Sequence, residues 1–243
     1  MITLVMLAAA AQAMLTVFAA SSLHSAFPEL GKRFEATRPG VTVRFEFNGS
    51  QLLEAQLVHG APADVFASAD QFWMDKAASE DLVAAWQLFA TNSLVIVASA
   101  NSPVHSPGDL TQTGLRLVLC AHAVPCGRYA QAALTAMESN PTFGKGFRQA
   151  VTRNVASEEE NVESVLAKVA LGEADAGIVY RSDVVAVPAN VRVVELPPAD
   201  QPPIVYPIAV IKASASPELA ADFIAFVRSS EGKAILRRFG FLP

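Results

Sequence analysis

The sequence has few residues that bind metals or take part in redox chemistry. It contains only two cysteines, Cys120 and Cys126, and four scattered histidines in 243 residues. A structural zinc site needs four closely grouped ligands, so we expect none. The cysteines leave two interpretations open. They form a disulfide, which suits an exported protein, or they are free thiols, of which Cys126 at a helix start would be a candidate nucleophile.

An excess of positive charge is also missing. Eighteen Lys and Arg residues face 23 Asp and Glu residues, which gives a formal net charge of −5. Nucleic-acid binding depends on a basic surface, so we expect no nucleic-acid partner. A small anion is not excluded, because local backbone dipoles can act against a weak overall field.

The longest apolar run is too short to cross a bilayer. It covers residues 2–11 and is followed by Ala11-Gln12-Ala13, which matches a small-residue cleavage site. We predict that residues 1–13 are a secretory leader, truncated or misassigned at its start because the usual positive segment is absent. A first β-strand is the alternative, but four consecutive alanines disfavour it. The mature protein is then expected outside the cytoplasm. A lipid anchor is not indicated, because there is no cysteine near the cleavage point.

What the sequence does contain is a regular alternation of strands and helices. Short runs rich in Val, Ile and Phe predict strands, and they alternate with segments of helical periodicity, as in Leu23, Phe27, Leu30 and Phe34. This order predicts an α/β class built on parallel sheets. Pro28 falls in the second turn of the first predicted helix, where it removes a backbone hydrogen bond, and it predicts a kink or an irregular first turn there. The predicted strands are 15–19, 41–47, 64–67, 93–98, 116–120, 176–180, 191–195 and 207–211.

Three segments combine a hydroxyl or small residue with the point where a strand gives way to a helix. They are FAASSL at 18–23, NGSQ at 48–51 and VPCG at 124–127. A helix start has unpaired N–H groups and a partial positive charge, which together bind anions. No cluster of cationic residues lies nearby in sequence. We therefore predict a pocket at the carboxyl ends of the strands that holds an oxyanion with neutral dipoles.

The residues alone leave the role of each candidate open. Ser21, Ser22 and Ser50 are either helix N-caps or ligand donors. Gly49 lets the backbone pass close to a ligand, which favours the donor role for Ser50. Tyr180 ends a strand, where its hydroxyl either donates to an anion or points to water.

A further helix has two candidate starts, Ser157 with its Ser-x-x-Glu capping box and Asn161. The N–H group of Val162 is free for a ligand only if Asn161 is the cap. Asp64 and Asp70 also follow strands, but they would repel an anion, so we expect them to act in turns and caps.

The chain resembles the molybdate-binding proteins of ABC importers, which have the type II periplasmic binding-protein fold. The resemblance runs from about residue 15 to residue 241. The segments that carry it, in order, are VFAASSL (17–23), GAPADVF (60–66), SAD (68–70), VPCG (124–127), GIVYRSD (177–183), YPIAV (206–210) and FGF (239–241).

This resemblance implies a solute-binding subunit, not an enzyme, that has no cofactor and binds molybdate or tungstate. It implies an ABC permease as the partner, a periplasmic or other extracytoplasmic location and a monomer. The implied fold has two α/β lobes of mostly parallel sheet, with residues 15–92 plus 205–243 in the first lobe and 93–204 in the second. Two crossovers, near 91–93 and 205–207, would form the hinge.

The resemblance also assigns the ligand contacts. The implied donors are the hydroxyls of Ser22, Ser50 and Tyr180 and the backbone N–H groups of Cys126 and Val162. Ser21, Gly49 and Asn161 would support them, with Asn161 as the helix cap. Cys126 departs from the small residue that is usual in the family, and a Cys120–Cys126 bridge would brace the binding loop. The competing hypotheses are another small anion held by Arg128 or Arg181, and an enzyme that uses Cys126.

Overall fold

Ten strands form two five-stranded sheets in the protein, which a computed structural model describes over residues 13–187 and 189–243. The strands are β1 (Ala13–Ala20), β2 (Val41–Asn48), β3 (Val65–Ala67), β4 (Gln87–Asn92), β5 (Leu94–Ser99), β6 (Leu117–Cys120), β7 (Val155–Glu159), β8 (Ala176–Tyr180), β9 (Val191–Glu195) and β10 (Ile204–Val210). The α-helices are α1 (Phe27–Thr37), α2 (Ser50–Val58), α3 (Gln71–Ser79), α4 (Pro125–Ser139), α5 (Phe147–Arg153), α6 (Val162–Ala170), α7 (Pro217–Val227) and α8 (Ser230–Arg238).

Each sheet has four strands in one direction and one reversed strand. The first sheet has the order β2-β1-β3-β10-β4, in which β10 is antiparallel to both neighbours. The second has the order β7-β6-β8-β5-β9, in which β5 is antiparallel to both neighbours. The reversed strand is in each case the first one that the chain enters after crossing from the other sheet. The predicted α/β fold with two mostly parallel lobes is therefore confirmed.

The chain passes between the sheets twice. It goes directly from β4 to β5 through Ser93 and returns from β9 to β10 through residues 196–203. The predicted lobe boundaries at residues 92 and 205 stay a prediction. Residues 1–12 of the predicted leader lie outside the described residues, and Ala13 is the first residue of β1. Among the described helices, none combines the length and apolar character that a bilayer span requires.

Alternate residues of the strands in the first sheet pack on opposite faces. Val17 and Val65 face the large hydrophobic cluster that extends through both lobes. Phe18 and Phe66 point to the other face, where they pack with Met74 and other residues of α2 and α3 in a second cluster. Both faces of this sheet are thus buried, which fixes the strand ends that carry the site.

The sequence prediction misplaced the start of one strand and missed two strands and two helices. β10 begins at Ile204 instead of Pro207, because the strand continues past the proline with a register shift between Tyr206 and Pro207. β4, β7, α3 and α5 were not predicted. The irregular start predicted at Pro28 is confirmed, since the short 3-10 turn of Ser21–Leu23 precedes α1 and leaves Pro28 in the helix's first turn.

Candidate anion-binding site

The sequence-predicted site residues surround one small cavity of about 10 Å³ between the two lobes. Ser50 is completely buried, and Tyr180 is 1% exposed, so both side chains lie inside the protein. All five predicted contact residues line it, together with Ser21 and Gly49; Asn161 is not among the lining residues. The lining residues are Ala20, Ser21, Ser22, Gly49, Ser50, Ala69, Val124, Pro125, Cys126, Val162 and Tyr180.

The two serines that follow β1 do not act as helix caps. Ala20 is the N-cap of the 3-10 turn of Ser21–Leu23, and no side chain caps that turn. The capping interpretation of Ser21 and Ser22 is therefore wrong. The Ser22 Oγ lies 2.9 Å from the Tyr206 hydroxyl oxygen, inside the protein.

Ser50 is the first residue of α2 and is not its cap either. Gly49 holds the N-cap position, without a side-chain hydrogen bond. The Ser50 Oγ instead accepts a hydrogen bond from the Ala69 N–H at 3.1 Å. Because that contact uses the oxygen as an acceptor, the hydroxyl proton is free to donate into the cavity.

A disulfide joins Cys120 at the end of β6 to Cys126 in the first turn of α4, with 5.9 Å between the Cα atoms. It holds the helix start against the strand end. Gly127 is packed so tightly beside it that an added Cβ would lie 2.1 Å from the Ala121 carbonyl oxygen. Since Cys126 has no free thiol, the hypothesis of a Cys126-dependent enzyme is wrong.

Asn161 caps α6, as its side chain accepts a hydrogen bond from the Ser164 N–H at 2.9 Å. Ser157 lies in β7 instead, and its hydroxyl donates to the Glu159 carboxylate. With Asn161 as the cap, the Val162 N–H belongs to the first turn and has no acceptor within the helix. The two candidate starts of this helix are thereby resolved in favour of Asn161.

The Tyr180 hydroxyl lacks a hydrogen-bond partner in the described part of the chain, although it is fully buried and reaches the cavity. Burial raises the pKa of this phenol well above its usual range, so the group keeps its proton. A buried hydroxyl without a partner costs free energy. An anion in the cavity would supply the missing acceptor.

Among the described residues, no Lys, Arg or His lines the cavity. The Arg128 guanidinium lies over the Phe72 ring, 3.9 Å from its centroid, and 3.4 Å from the Asp70 carboxylate. Arg181 pairs with Glu195. Within residues 13–187 and 189–243, no group of three His, Cys, Asp or Glu residues could hold a metal ion. The cavity therefore offers neutral hydroxyl and backbone donors, and each nearby cation already has a carboxylate partner.

Asp70 has the structural role expected of it. Its side chain caps α3 by accepting a hydrogen bond from the Trp73 N–H at 3.0 Å. Burial raises the pKa of this carboxyl to about 6, against the opposing effect of Arg128. Asp64 likewise accepts hydrogen bonds from the Thr16 N–H and the Ser214 hydroxyl.

We expect Asp70→Asn to remove a pH dependence of stability. The carboxyl binds its proton more tightly in the folded state than in the unfolded chain, so wild-type stability falls as pH rises from about 4 to about 6. Asn caps helices as well as Asp does. Above about pH 6, the variant should be more stable than wild type by about 2–3 kcal/mol. Urea unfolding of both ligand-free proteins across this range measures the difference, and parallel pH profiles would contradict it.

Several contacts join the lobes around the cavity, among them the Arg128–Asp70 pair. Gln51 Nε2 donates to the Glu160 carbonyl oxygen at 2.7 Å, and Trp73 Nε1 donates to the Ala123 carbonyl oxygen at 2.8 Å. The His24 ring nitrogen lies 3.2 Å from the Glu163 carboxylate. The lobes are thus closed against each other.

Sequence reasoning missed two polar residues behind the cavity. Tyr206 is completely buried on β10, and its hydroxyl contacts Ser22. Asn92 ends β4, and its Nδ2 lies 3.4 Å from the same hydroxyl. Tyr206 belongs to a segment that carried the family resemblance, but nothing in that segment indicates a contact with a serine 184 positions away.

Two lobes joined by two crossovers, with a cavity between them that serines, a tyrosine and three helix starts line, define a two-lobed solute-binding protein. The chain belongs to the family of bacterial extracellular solute-binding proteins, whose family model matches residues 15–242. Such proteins bind their ligands without chemical conversion, so the protein is not an enzyme and needs no cofactor.

Named relatives cover almost all of the chain. It is 44% identical to the molybdate-binding protein ModA of Mycobacterium tuberculosis over 93% of this chain and 84% of that protein. It is 34% identical to the molybdate-binding protein ModA of Escherichia coli K12 over 93% of this chain and 88% of that protein.

Solved structures agree on the fold. The periplasmic molybdate-binding protein of Azotobacter vinelandii has a TM-score of 0.80 at 22% identity, over 94% of this chain and 99% of that one. The sulfate-binding protein SubI of M. tuberculosis has a TM-score of 0.85 at 18% identity, over 94% and 86%. At these identities, the likeness concerns the fold alone.

Proposed function

We propose that this protein captures molybdate or tungstate between its lobes and delivers the anion to the permease of an ABC importer. The observation that carries the proposal is the buried Tyr180 hydroxyl, which has no hydrogen-bond partner among the described residues, on a residue that lines a cavity of neutral donors. The relatives named as molybdate-binding proteins, at 44% and 34% identity, support the same ligand.

The proposed ligand set has three hydroxyls and two backbone groups. Ser22, Ser50 and Tyr180 would donate through their side chains, and Cys126 and Val162 would donate through their N–H groups. The helix starts of α2, α4 and α6 meet at the cavity, so their dipoles add to the attraction for an anion. A hydrogen bond to a charged group contributes about 1.5–3 kcal/mol, and desolvation of the anion offsets part of the sum.

A cavity of donors selects by protonation and by size. Molybdate and tungstate carry no proton at neutral pH and are close in size, so both should bind. Hydrogen phosphate carries a proton that calls for an acceptor carboxylate, and the residues that line this cavity include none. Sulfate is smaller and would leave gaps between its oxygens and the donors.

The remaining features of the proposal concern location and assembly. An extracytoplasmic location follows from the family, and we propose that residues 1–13 direct export to the periplasm or its equivalent. We further propose that the protein acts as a monomer, with residues 15–92 plus 205–243 and 93–204 as its lobes, and that the closed form docks on the permease.

Calorimetric titration with molybdate, tungstate, sulfate and phosphate tests the function. We expect binding of the first two and much weaker binding of the others. Elemental mass spectrometry of the purified protein provides an independent measurement, with molybdenum or tungsten expected. Sulfate binding as tight as molybdate binding would overturn the specificity. Loss of binding in Arg128→Ala with retention in Ser22→Ala would favour an anion held by arginine.

Ser50→Ala should weaken molybdate binding by about 1–3 kcal/mol, because one charge-assisted hydrogen bond is lost. The change also leaves the Ala69 N–H without its acceptor, so unfolding should be measured beside calorimetry. We expect the affinity loss to persist at temperatures far below the unfolding midpoint. Unchanged affinity would remove Ser50 from the ligand set.

A further inference from the structure

We propose that Asn92 and Tyr206 form a polarised hydrogen-bond chain that forces the Ser22 hydroxyl to donate into the cavity. The inference rests on the proposed function, since it explains how the site would select an unprotonated anion. Neither residue lines the cavity. Both are therefore positioning residues that would act through Ser22.

The orientation of the Asn92 amide fixes the first step. Its Oδ1 accepts a hydrogen bond from the Ser93 N–H at 2.9 Å, so the amide oxygen, and not the nitrogen, faces Ser93. The Nδ2 therefore faces the other way, 2.9 Å from the Ser182 Oγ and 3.4 Å from the Tyr206 hydroxyl oxygen. An amide nitrogen only donates, so Tyr206 must accept.

The second step is to identify the acceptor of the Tyr206 hydroxyl proton. Its side chain is completely buried, and burial raises the pKa of the hydroxyl well above its usual range, so the proton stays on. Because the oxygen already accepts from Asn92, that proton is directed to the Ser22 Oγ, 2.9 Å away. Tyr206 is thus the donor in this pair.

Ser22 is the last member of the chain. Its Oγ accepts from Tyr206 and has no other hydrogen-bond partner among residues 13–187 and 189–243. Its own proton therefore points towards the cavity that the residue lines. Because Tyr206 donates to Ser22, the Ser22 proton cannot be given back to Tyr206 and is the proton that remains for a ligand. An anion that carries a proton would meet a second proton at this position.

The hydrogen-bond chain from Asn92 to Ser22 also connects the crossover with both lobes. Asn92 is the last residue of β4, directly before the crossover, and its second amide proton is donated to Ser182 in the other lobe. Both amide protons are thus used, so rotation of the amide would break bonds in both lobes. This arrangement keeps the direction of the chain fixed in the closed protein.

Tyr206→Phe tests the inference, with Tyr129→Phe as the matched control. Tyr129 carries a partly buried hydroxyl that accepts from the Val205 N–H at 3.4 Å and contacts no cavity hydroxyl. We expect Tyr206→Phe to lower the ratio of molybdate to phosphate affinity by at least about tenfold at mildly alkaline pH. The control should keep the wild-type ratio. A wild-type ratio in Tyr206→Phe would overturn the inference.

A double-mutant cycle separates positioning from general damage. If Tyr206 acts through Ser22, Tyr206→Phe should cause no further loss of molybdate affinity in the Ser22→Ala background. Additive losses of molybdate affinity would contradict the proposed hydrogen-bond chain. Unfolding midpoints of the ligand-free variants show whether affinity changes follow stability.

Neutron diffraction of the deuterated, ligand-free protein provides a readout that needs no ligand. We expect the Tyr206 deuteron on the line to the Ser22 Oγ. A Ser22 deuteron directed at Tyr206 would refute the inference, even if molybdate binds. Failure of the wild-type protein to bind molybdate would instead refute the proposed function and leave the neutron result to decide the hydroxyl chain.

Discussion

Tyr180→Phe is expected to lower molybdate affinity by about ten- to hundredfold without destabilising the ligand-free protein. The Tyr180 hydroxyl has no partner in the described residues although it is buried, so its removal breaks no hydrogen bond within the protein. The free energy of unfolding should stay constant or rise by up to about 1 kcal/mol. Binding loses a hydrogen bond to a charged ligand, which contributes about 1.5–3 kcal/mol.

The opposite directions of the two effects make this variant informative. Calorimetry measures the affinity, and urea unfolding without ligand measures stability. Tyr129→Phe is the matched control, since the Tyr129 ring packs edge-on against Tyr180 at 6.4 Å and its hydroxyl lies outside the cavity. If Tyr180→Phe lost stability and kept its affinity, the hydroxyl would have a structural role and the proposed ligand set would need revision.

The helix starts of the site could be predicted from local sequence, whereas the ligand contacts were assigned only by the family resemblance. A helix start after a buried strand is visible as a polar or small residue between two apolar patterns, as at Gly49 and Asn161. The fold class followed from the order of such units. The residue that caps each helix was harder to predict. Ser, Asn and Gly are all good caps, and several of them are adjacent in the sequence. Only the three-dimensional positions excluded Ser21, Ser22 and Ser157.

The two strands that the sequence did not reveal, β4 and β7, share a physical cause. β4 and β7 are edge strands, half exposed and rich in polar residues, so they lack the apolar runs of central strands. The segment Ser157 to Glu160, which spans the end of β7, also matches a Ser-x-x-Glu capping box. The hydroxyl chain from Asn92 to Ser22 depends on contacts between residues 114 and 184 positions apart, for which local patterns contain no information.

Neutral donors suit a protein that must also release its ligand. A buried arginine would bind the dianion more strongly, but it would remain as an unpaired charge after release. Hydroxyls and helix-start N–H groups cost less to leave without a ligand, because water can hydrogen-bond to them when the lobes open. The pairing of Arg128 with Asp70 keeps a nearby cation from binding the anion directly. Lobe closure then becomes the step that completes the site.

Gly49→Ala should act on that closing step and lower molybdate affinity by about ten- to hundredfold. The backbone angles of Gly49, φ −59° and ψ 139°, are accessible to alanine, so the first lobe can fold normally. An added Cβ would lie 2.4 Å from the Glu160 carbonyl oxygen of the second lobe and equally close to the flexible Gln51 side chain. The lobes would have to stay apart to relieve that overlap, at a cost of about 1–3 kcal/mol.

The variant separates closure from folding. Calorimetry should show the loss of affinity, while thermal unfolding without ligand should match wild type. Small-angle scattering should show that molybdate compacts the wild-type protein more than the variant. Gly108→Ala is the control, since its added Cβ would meet only the Ser106 Oγ, at an ordinary 3.7 Å, and binding should be unchanged. A lower unfolding midpoint with full affinity would mean that Gly49 serves the fold of its own lobe, because a clash between lobes cannot destabilise a protein whose lobes are free to open.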